Sequence, residues 1–455
     1  MLRSVRFHMR FFPGAGRTAI ESMVGDASQQ RRVQDKACVR LAQIAVIARA
    51  ERTHRAAEPS QLQLYRHVQK IIECHYPRSG IFRRAPRNGP MNQPQHLRIA
   101  GLDGLRALSV IAVFLAHTGL AGVVGGGYVG VDVFFVLSGY LITSLLVAEH
   151  SRTGRIDLPA FYWRRARRLY PALSLMLVGV TAYCLIFPVS LRVGWEVLPA
   201  FFYVMNWVRA LGIYDAHLTG HAWTLAVEEQ FYLIWPLILL GVLKLWPRRV
   251  SIGIALLVLT VIGWRSYLMS LDLPMARIYC GFDTHSDGLL IGALLATAPR
   301  RWAYCAGKLW PAAAAYLAFV MFSETGIEFS LRAVGYPLTS LAAALIIAKV
   351  VTQQRSALVR ALNVGPLAGF GRVSYGFYLW HYVVLQSMLY GGYETMGAFF
   401  GEFSHPRIAM VSITFVISTA LTLFSWFVIE KPAMRLRLPW RRSAARARAG
   451  GMEAR

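Results

Sequence analysis

Long apolar runs, separated by short polar segments, occupy the chain from about residue 100 onward. A bilayer core is about 30 Å thick, so a helix of about 20 apolar residues can cross it. Ten segments approach this length and predict ten transmembrane helices, with both termini on the cytoplasmic side. The segments are 104–122, 128–149, 170–188, 222–243, 250–270, 283–298, 303–323, 333–352, 369–390 and 407–430, of which the sixth is the shortest. The predicted fold class is an all-α polytopic membrane protein.

One more apolar stretch, 195–213, is interpreted as a re-entrant or outer-surface segment. If it crossed the membrane, the basic run "WPRR" at 246–249 would lie on the opposite side from "WRRARR" at 163–168. Leaving it out keeps every basic cluster on the cytoplasmic side, as the positive-inside pattern requires. Neither half of the chain repeats the other, which disfavours a transporter built from inverted repeats.

Composition agrees with this pattern, since 55% of the 455 residues are hydrophobic and only 16% are charged. The net charge of +26 raises the question of nucleic acid binding. However, most basic residues beyond the N-terminal region lie in short clusters between apolar runs, where they suit anionic lipid headgroups. We therefore predict a membrane-lipid partner and no nucleic acid.

The two ends of the chain differ from its middle. Residues 1–95 are polar and basic, with 17 Lys and Arg against six Asp and Glu in the first 90 residues. We expect a disordered extension there, with Met91 as an alternative start of the natural protein. Residues 436–455 are expected to form a basic cytoplasmic tail. The five cysteines are scattered and predict neither a disulfide framework nor a metal site.

The first predicted span carries Arg106 and His117, eleven residues apart. Eleven residues are close to three helical turns, so both side chains lie on one face, about 16 Å apart. Ionisable groups inside membrane spans are costly and usually functional. Either residue alone has an ordinary explanation, as an interfacial anchor or a hydrogen-bonded core histidine. Together they favour a polar path through the protein.

Polar side chains near the other spans add further candidates. The segment "FYWRRARRLYP" at 161–171 is interpreted as a cytoplasmic loop. Its Arg165 and Arg168 could hold a phosphorylated cytoplasmic cosubstrate, because guanidinium groups bind phosphate in bidentate fashion. Glu228 and its neighbour Glu229 point in different directions on a helix, so at most one faces the path. An intrahelical hydrogen bond is the more ordinary role for Ser138.

A metal site is one interpretation of the outer end of the sixth span. Asp283, His285 and Asp287 are close in sequence there. We favour the simpler interpretation of a polar span end, because no further ligand is clustered with them. No metal site is therefore predicted.

Seven motifs, in this order, resemble the acyltransferase-3 family of membrane O-acyltransferases and cover roughly residues 98–435. They are "LDGLRALSVIAVFLAH", "GYVGVDVFFVLSGYLI", "FYWRRARRLYP", "HAWTLAVEEQFYLIWP", "DGLLIGALLA", "GRVSYGFYLWH" and "EKPAMR". The resemblance places the family's transmembrane domain at 96–435 and implies ten helices with cytoplasmic termini in a bacterial inner membrane. The SGNH-type domain that some members carry is not expected here, because the chain ends about 25 residues after the last span.

The activity that the resemblance implies is transfer of an acyl group, often acetyl, to a hydroxyl of a carbohydrate or glycolipid of the cell envelope. Cytoplasmic acyl-CoA is the implied cosubstrate, with no metal or bound cofactor. This chain departs from the family at His285, where members more often have arginine, and its role is left open.

The expected site residues follow from this resemblance. Arg106, Arg165 and Arg168 would draw in the phosphates of acyl-CoA. His117 would act as general base on the acceptor hydroxyl, because imidazole titrates near working pH. Glu228 would either orient His117 or bind the sugar. Ser138 and Tyr140 are assigned to the donor, and Ser138 is also a weaker candidate for an acyl-enzyme nucleophile. Acceptor contacts are assigned to Asp132, His221, Trp223, Asp287 and His381.

Two other classes of protein remain open. A transporter or flippase of a lipid-linked sugar would use intramembrane Arg, His and Glu as a proton relay. A membrane scaffold would act through its basic tail, which includes Arg441–Arg448, and would not need His117. Dependence on acyl-CoA separates the enzyme from both.

Overall fold

The computed structural model describes residues 99–118, 125–187, 191–323, 334–390 and 405–436. Every regular element in these ranges is helical, and none of them contains a strand. The predicted N-terminal extension, the residues after 436 and parts of several predicted spans lie outside the described residues.

The described residues form α-helices of very different lengths. In chain order they are α1 (Leu102–His117), α2 (Val129–Thr153), α3 (Leu158–Ile186), α4 (Val193–Phe201), α5 (Met205–Ala210), α6 (Trp223–Leu245), α7 (Val250–Met269), α8 (Met275–Cys280), α9 (Phe282–His285), α10 (Asp287–Thr297), α11 (Arg300–Ala306), α12 (Trp310–Phe322), α13 (Gly335–Thr352), α14 (Ala357–Leu362), α15 (Gly365–Arg372), α16 (Ser374–Tyr390), α17 (Pro406–Phe424) and α18 (Lys431–Ala433). Short 3₁₀ turns at Gly220–Ala222 and Gly307–Leu309 and a π-helical turn at Ser425–Glu430 complete the set.

Seven helical segments within these ranges are long and apolar enough to cross a membrane, and each coincides with a predicted span. They are Val129–Thr153, Leu158–Ile186, Gly220–Leu245, Val250–Met269, Arg300–Phe322, Gly335–Thr352 and Arg407–Ala433. The other three predicted spans correspond to the shorter helices α1, α10 and α16. The chain is therefore an all-helical, multi-pass membrane protein in its described part, whereas the count of ten and the orientation stay predictions.

The apolar stretch 195–213 is not one helix. It falls on α4 and α5, of nine and six residues, and neither can span a bilayer. Between them Tyr203 has a φ of 53°, a left-handed conformation that interrupts the helical path. This geometry agrees with the interpretation of 195–213 as a segment that does not cross the membrane.

The basic segment Phe161–Pro171 was expected to be a loop, and that prediction is wrong. α3 begins twelve residues before the predicted span, at Leu158, and contains the whole segment. The carboxylate of Asp157 caps the helix by accepting a hydrogen bond from the N–H of Ala160 at 3.1 Å. Arginine is a good helix former, so a capped arginine-rich segment continues the apolar helix instead of interrupting it.

Close backbone contacts hold the central helices together. A Cβ atom at Gly139 of α2 would lie 1.8 Å from the carbonyl oxygen of Leu289 on α10, and one at Gly292 of α10 would lie 2.1 Å from the carbonyl oxygen of Val136. Similarly, a Cβ atom at Gly371 of α15 would lie 1.7 Å from the carbonyl oxygen of Asp103 on α1. Small residues permit this approach between membrane helices. These contacts fix α1 and α2 at the centre, where the candidate site lies.

Candidate active site

Two cavities lie along α1, one at the level of Arg106 and the other at the level of His117. We call the first the arginine cavity; it has a volume of about 90 Å³, and its polar walls include Arg106, Ser138, Arg165, Arg168, Thr224, Glu228, Tyr232, Arg372, Tyr375 and Tyr378. We call the second the histidine cavity; it has a volume of about 540 Å³, and its walls include His117, Arg209, His221, Trp223, Thr224, Tyr279, Cys280, Tyr378 and Tyr382. Val131, Thr224 and Tyr378 line both cavities, so the two share a wall.

The helical form of α3 explains which arginines reach the arginine cavity. Arg165 and Arg168 are three residues apart and share one face of the helix. Arg164 does not line this cavity; its side chain is 42% exposed and pairs with Glu149 at 3.5 Å. The guanidinium of Arg165 lies 5.1 Å from the centre of the Tyr232 ring, a cation–π contact. The arginine cavity thus gathers the positive charges of several guanidinium groups around one space.

Glu228 is the carboxylate of the arginine cavity. The hydroxyl of Ser138 donates a hydrogen bond to its Oε1 atom at 2.6 Å. Glu228 lines the arginine cavity and not the histidine cavity, so this geometry does not place it next to His117. Ser138 is engaged in orienting Glu228.

The hydrogen bonds of His117 and His381 define the tautomer of each ring. Nδ1 of His381 lies 3.0 Å from the carbonyl oxygen of Phe377, and a carbonyl can only accept, so this Nδ1 carries the proton. In neutral His381 the Nε2 atom is then an acceptor, and it lies 3.0 Å from Nδ1 of His117. Nδ1 of His117 therefore donates, and its Nε2 carries the free lone pair that a general base needs. His381 itself is fully buried and does not line either cavity.

His221 also lines the histidine cavity, from the 3₁₀ turn before α6. Its Nε2–H donates to the carbonyl oxygen of Leu379 at 3.2 Å, while its buried Nδ1 has no hydrogen-bond partner within the described residues. In the shared wall, the hydroxyls of Thr224 and Tyr378 lie 2.6 Å apart. A buried lone pair without a partner is costly, so His221 offers an acceptor to a ligand of this cavity.

Glu196 positions the loop that precedes His221. Its side chain is fully buried and accepts hydrogen bonds from the backbone N–H groups of His217, Leu218 and Thr219 at 2.8, 3.1 and 3.0 Å. The hydroxyl of Thr219 adds a fourth bond at 2.8 Å. Glu196 was not among the residues expected from the sequence. Its signal was a lone carboxylate in an apolar segment.

Several residues that the sequence analysis assigned to substrates lie elsewhere. Asp132 is buried, and its Oδ1 lies 3.2 Å from Nε2 of His285, whose Nδ1 donates to the carbonyl oxygen of Tyr279 at 2.7 Å. Asp287 pairs with Arg265 at 3.0 Å, and both side chains are fully buried. Neither aspartate lines the arginine or the histidine cavity, nor does Tyr140, so their assignment to substrates stays a prediction.

The three residues considered for a metal site each contact a different partner. Asp283 pairs with Arg277, with 2.9 Å between Nη1 and Oδ1, while His285 and Asp287 have the partners described above. No group of three or more His, Cys, Asp or Glu side chains within the described ranges could hold a metal ion.

Several residues that line the cavities were not singled out from the sequence, among them five that carry a charge or a ring close to the proposed site. They are Arg209, Tyr279, Arg372, Tyr378 and Tyr382. Arg209 and Arg372 had a usable signal, because arginine beside apolar segments is expensive and often functional. The tyrosines had none, since aromatic residues are common throughout membrane helices.

Comparison with known proteins matches these helices to one family. The family model described as "Acyltransferase domain", that of the acyltransferase-3 family, covers residues 99–431, and the chain belongs to this family. Among similar curated proteins, the putative peptidoglycan O-acetyltransferase YrhL of Bacillus subtilis (strain 168) is 34% identical over 75% of this chain and 56% of its own length. O-acetyltransferase OatA of Staphylococcus aureus (strain NCTC 8325 / PS 47) is 33% identical over 65% of this chain and 51% of its own length. The chain thus spans about half the length of these relatives. No solved structure matches it.

Proposed function

We propose that this chain is a membrane O-acyltransferase that moves an acyl group from cytoplasmic acyl-CoA to a hydroxyl of a cell-envelope glycan. The names of the similar proteins make acetyl the favoured group and a peptidoglycan-type glycan a favoured acceptor. The proposal includes ten membrane helices, cytoplasmic termini and a bacterial inner membrane. The observation that carries it is the free Nε2 lone pair of His117 in a cavity that shares a wall with the arginine cavity.

In this proposal the arginine cavity receives the donor. Guanidinium groups bind phosphates through paired, charge-assisted hydrogen bonds. The cavity is narrow, about 90 Å³, so it suits the extended pantetheine arm, with the nucleotide phosphates held at its mouth. The thioester would then lie at the shared wall near Thr224 and Tyr378.

The chemical step needs only one base. Nε2 of His117 takes the proton from the acceptor hydroxyl, and the hydroxyl oxygen forms a bond to the thioester carbonyl carbon. The C–S bond then breaks, and the thiolate of CoA takes the proton from His117. Much of the rate would come from holding the hydroxyl and the thioester in this orientation. His381 would keep His117 in the active tautomer.

The experiment measures CoA release and acetyl transfer by the full chain in lipid nanodiscs, with acetyl-CoA and extracted envelope glycans. Asparagine at position 117 keeps a donor near Nδ1 but removes the base, so His117→Asn should abolish both signals. The matched control is His405→Asn, at an exposed histidine, and it should behave as wild type. Movement of a lipid-linked sugar across the membrane without CoA release would favour the flippase. Equal CoA release by wild type and His117→Asn would overturn the proposal.

A further inference from the structure

Arg209 of α5 lines the histidine cavity with a half-buried guanidinium. It has no hydrogen-bond or ion-pair partner among the residues that the structure describes. Two other arginines differ from it: Arg265 pairs with Asp287, and Arg277, stacked 5.4 Å over Trp207 of the same helix α5, pairs with Asp283. Arg209 is therefore a cation directed to a cavity where a carboxylate would ordinarily satisfy it.

The position of Arg209 is built into the fold. Its Nη1 atom lies 3.0 Å from the place where a Cβ atom at position 220 would stand, so Gly220 leaves the room that the guanidinium uses. The loop before Gly220 is held by Glu196 through Thr219. Fixed neighbours on this side reduce the freedom that Arg209 would lose on binding a ligand.

The other walls of the cavity suit a sugar. A volume of about 540 Å³ lies within the range of small-molecule sites, about 300–1,000 Å³. Trp223, Tyr279 and Tyr382 supply flat apolar faces, and His221 supplies the unpartnered Nδ1 acceptor. A neutral sugar would use these groups and leave Arg209 without a counter-charge.

We propose that Arg209 binds an anionic group of the acceptor, a phosphate or a carboxylate, so that the substrate class of this chain is an anionic glycan. Guanidinium is the side chain best matched to both groups. That the bound sugar is the acceptor of acyl transfer rests on the proposed function. Binding of the sugar needs no acyl donor, however, so a binding experiment can fail or succeed independently of acyl transfer.

The test is equilibrium dialysis of the full chain in nanodiscs against three radiolabelled sugars with one ring type. N-acetylglucosamine is neutral, N-acetylmuramic acid adds a carboxylate, and N-acetylglucosamine 1-phosphate adds a phosphate. We expect at least one of the anionic sugars to bind at least tenfold more tightly than the neutral sugar, and the two anionic arms identify which group Arg209 prefers. In Arg209→Gln the advantage should disappear, and Arg209→Lys should retain part of it.

The matched control is Arg192→Gln, which removes the same charge at an exposed position just before α4. It should leave all three affinities unchanged, because screened surface charges act weakly over distance. Equal binding of the three sugars by wild type, an unchanged advantage in Arg209→Gln, or no saturable binding of either anionic sugar would overturn the inference. Loss of CoA release with intact anionic-sugar binding would instead count against the proposed function alone.

Discussion

Nδ1 of His117 lies 3.0 Å from Nε2 of His381, although the two residues are 264 positions apart in the chain. The rings are nearly parallel, with centroids 5.3 Å apart. His381 is in turn fixed by the carbonyl of Phe377, one helical turn earlier on α16. In the proposed reaction this arrangement makes His381 a positioning residue that acts through His117.

Loss of the acceptor on His381 should slow the chemical step. In His381→Leu we expect kcat to fall about 10²-fold, less than the about 10⁴-fold loss when the buried carboxylate of a Ser-His-Asp triad is removed, since a neutral imidazole is a weaker partner. His381→Gln retains an acceptor near Nε2 and should recover part of the rate. The KM for acetyl-CoA should not change. A folded His381→Leu protein with wild-type kcat would contradict the positioning role, and His405→Leu serves as control.

Arg168 should contribute to binding of the donor phosphates. Charge-assisted hydrogen bonds contribute about 1.5–3 kcal/mol, so Arg168→Gln should raise the KM for acetyl-CoA about tenfold or more. S-acetylpantetheine, which lacks the nucleotide, should show no such increase. Arg164→Gln is the control, because Arg164 is also an exposed arginine of α3 but pairs with Glu149 and does not line the arginine cavity. An equal rise of the KM for both donors would show that Arg168 does not bind the nucleotide phosphates and contributes to the fold instead.

His285 should be replaceable by arginine but not by leucine. Its Nε2 lies 3.2 Å from Asp132, and both side chains are buried, so His285→Leu leaves a carboxylate without its partner. Breaking a buried pair typically costs about 3–5 kcal/mol, and the melting temperature in detergent should fall clearly. Arginine can pair with Asp132 and should fold. The double variant Asp132→Asn/His285→Leu should regain stability; a double variant less stable than His285→Leu would refute the pairing.

Gly139 should tolerate no side chain. A Cβ atom there would lie 1.8 Å from the backbone of Leu289, which cannot move aside without separating α2 from α10. We expect Gly139→Ala to lower the melting temperature and the yield of monodisperse protein. Gly241 on α6 has nothing within 4 Å of its Cβ position. Gly241→Ala should therefore leave both quantities unchanged. Comparable losses in the two variants would contradict the role of close packing at Gly139.

Features that depend on the spacing of residues within one helix could be predicted from the sequence. The shared face of Arg106 and His117 follows from helix geometry alone, and each residue lines one of the two cavities. The same rule places Arg165 and Arg168, three residues apart, on one face, but the segment was interpreted as a loop, whereas Asp157 caps a helix there. The error came from treating a basic run as a break in the helix.

Partners from distant segments could not be predicted. Nothing near Asp132 in sequence indicates that His285 will lie against its carboxylate, and nothing near His381 indicates that its Nε2 will face Nδ1 of His117. Sequence spacing determines which face of a helix a residue occupies. It does not determine which other helix covers that face.

Span length and motif order are properties of neighbouring residues, so the sequence alone was enough to predict a helical membrane protein of the acyltransferase-3 family. Which polar side chains meet follows from the packing of helices that are far apart in the chain. Nδ1 of His117 faces Nε2 of His381, and Arg209 lines the histidine cavity with no hydrogen-bond or ion-pair partner among the described residues. A buried polar group is satisfied by whichever partner packing brings within about 3 Å, and sequence neighbours do not determine that partner.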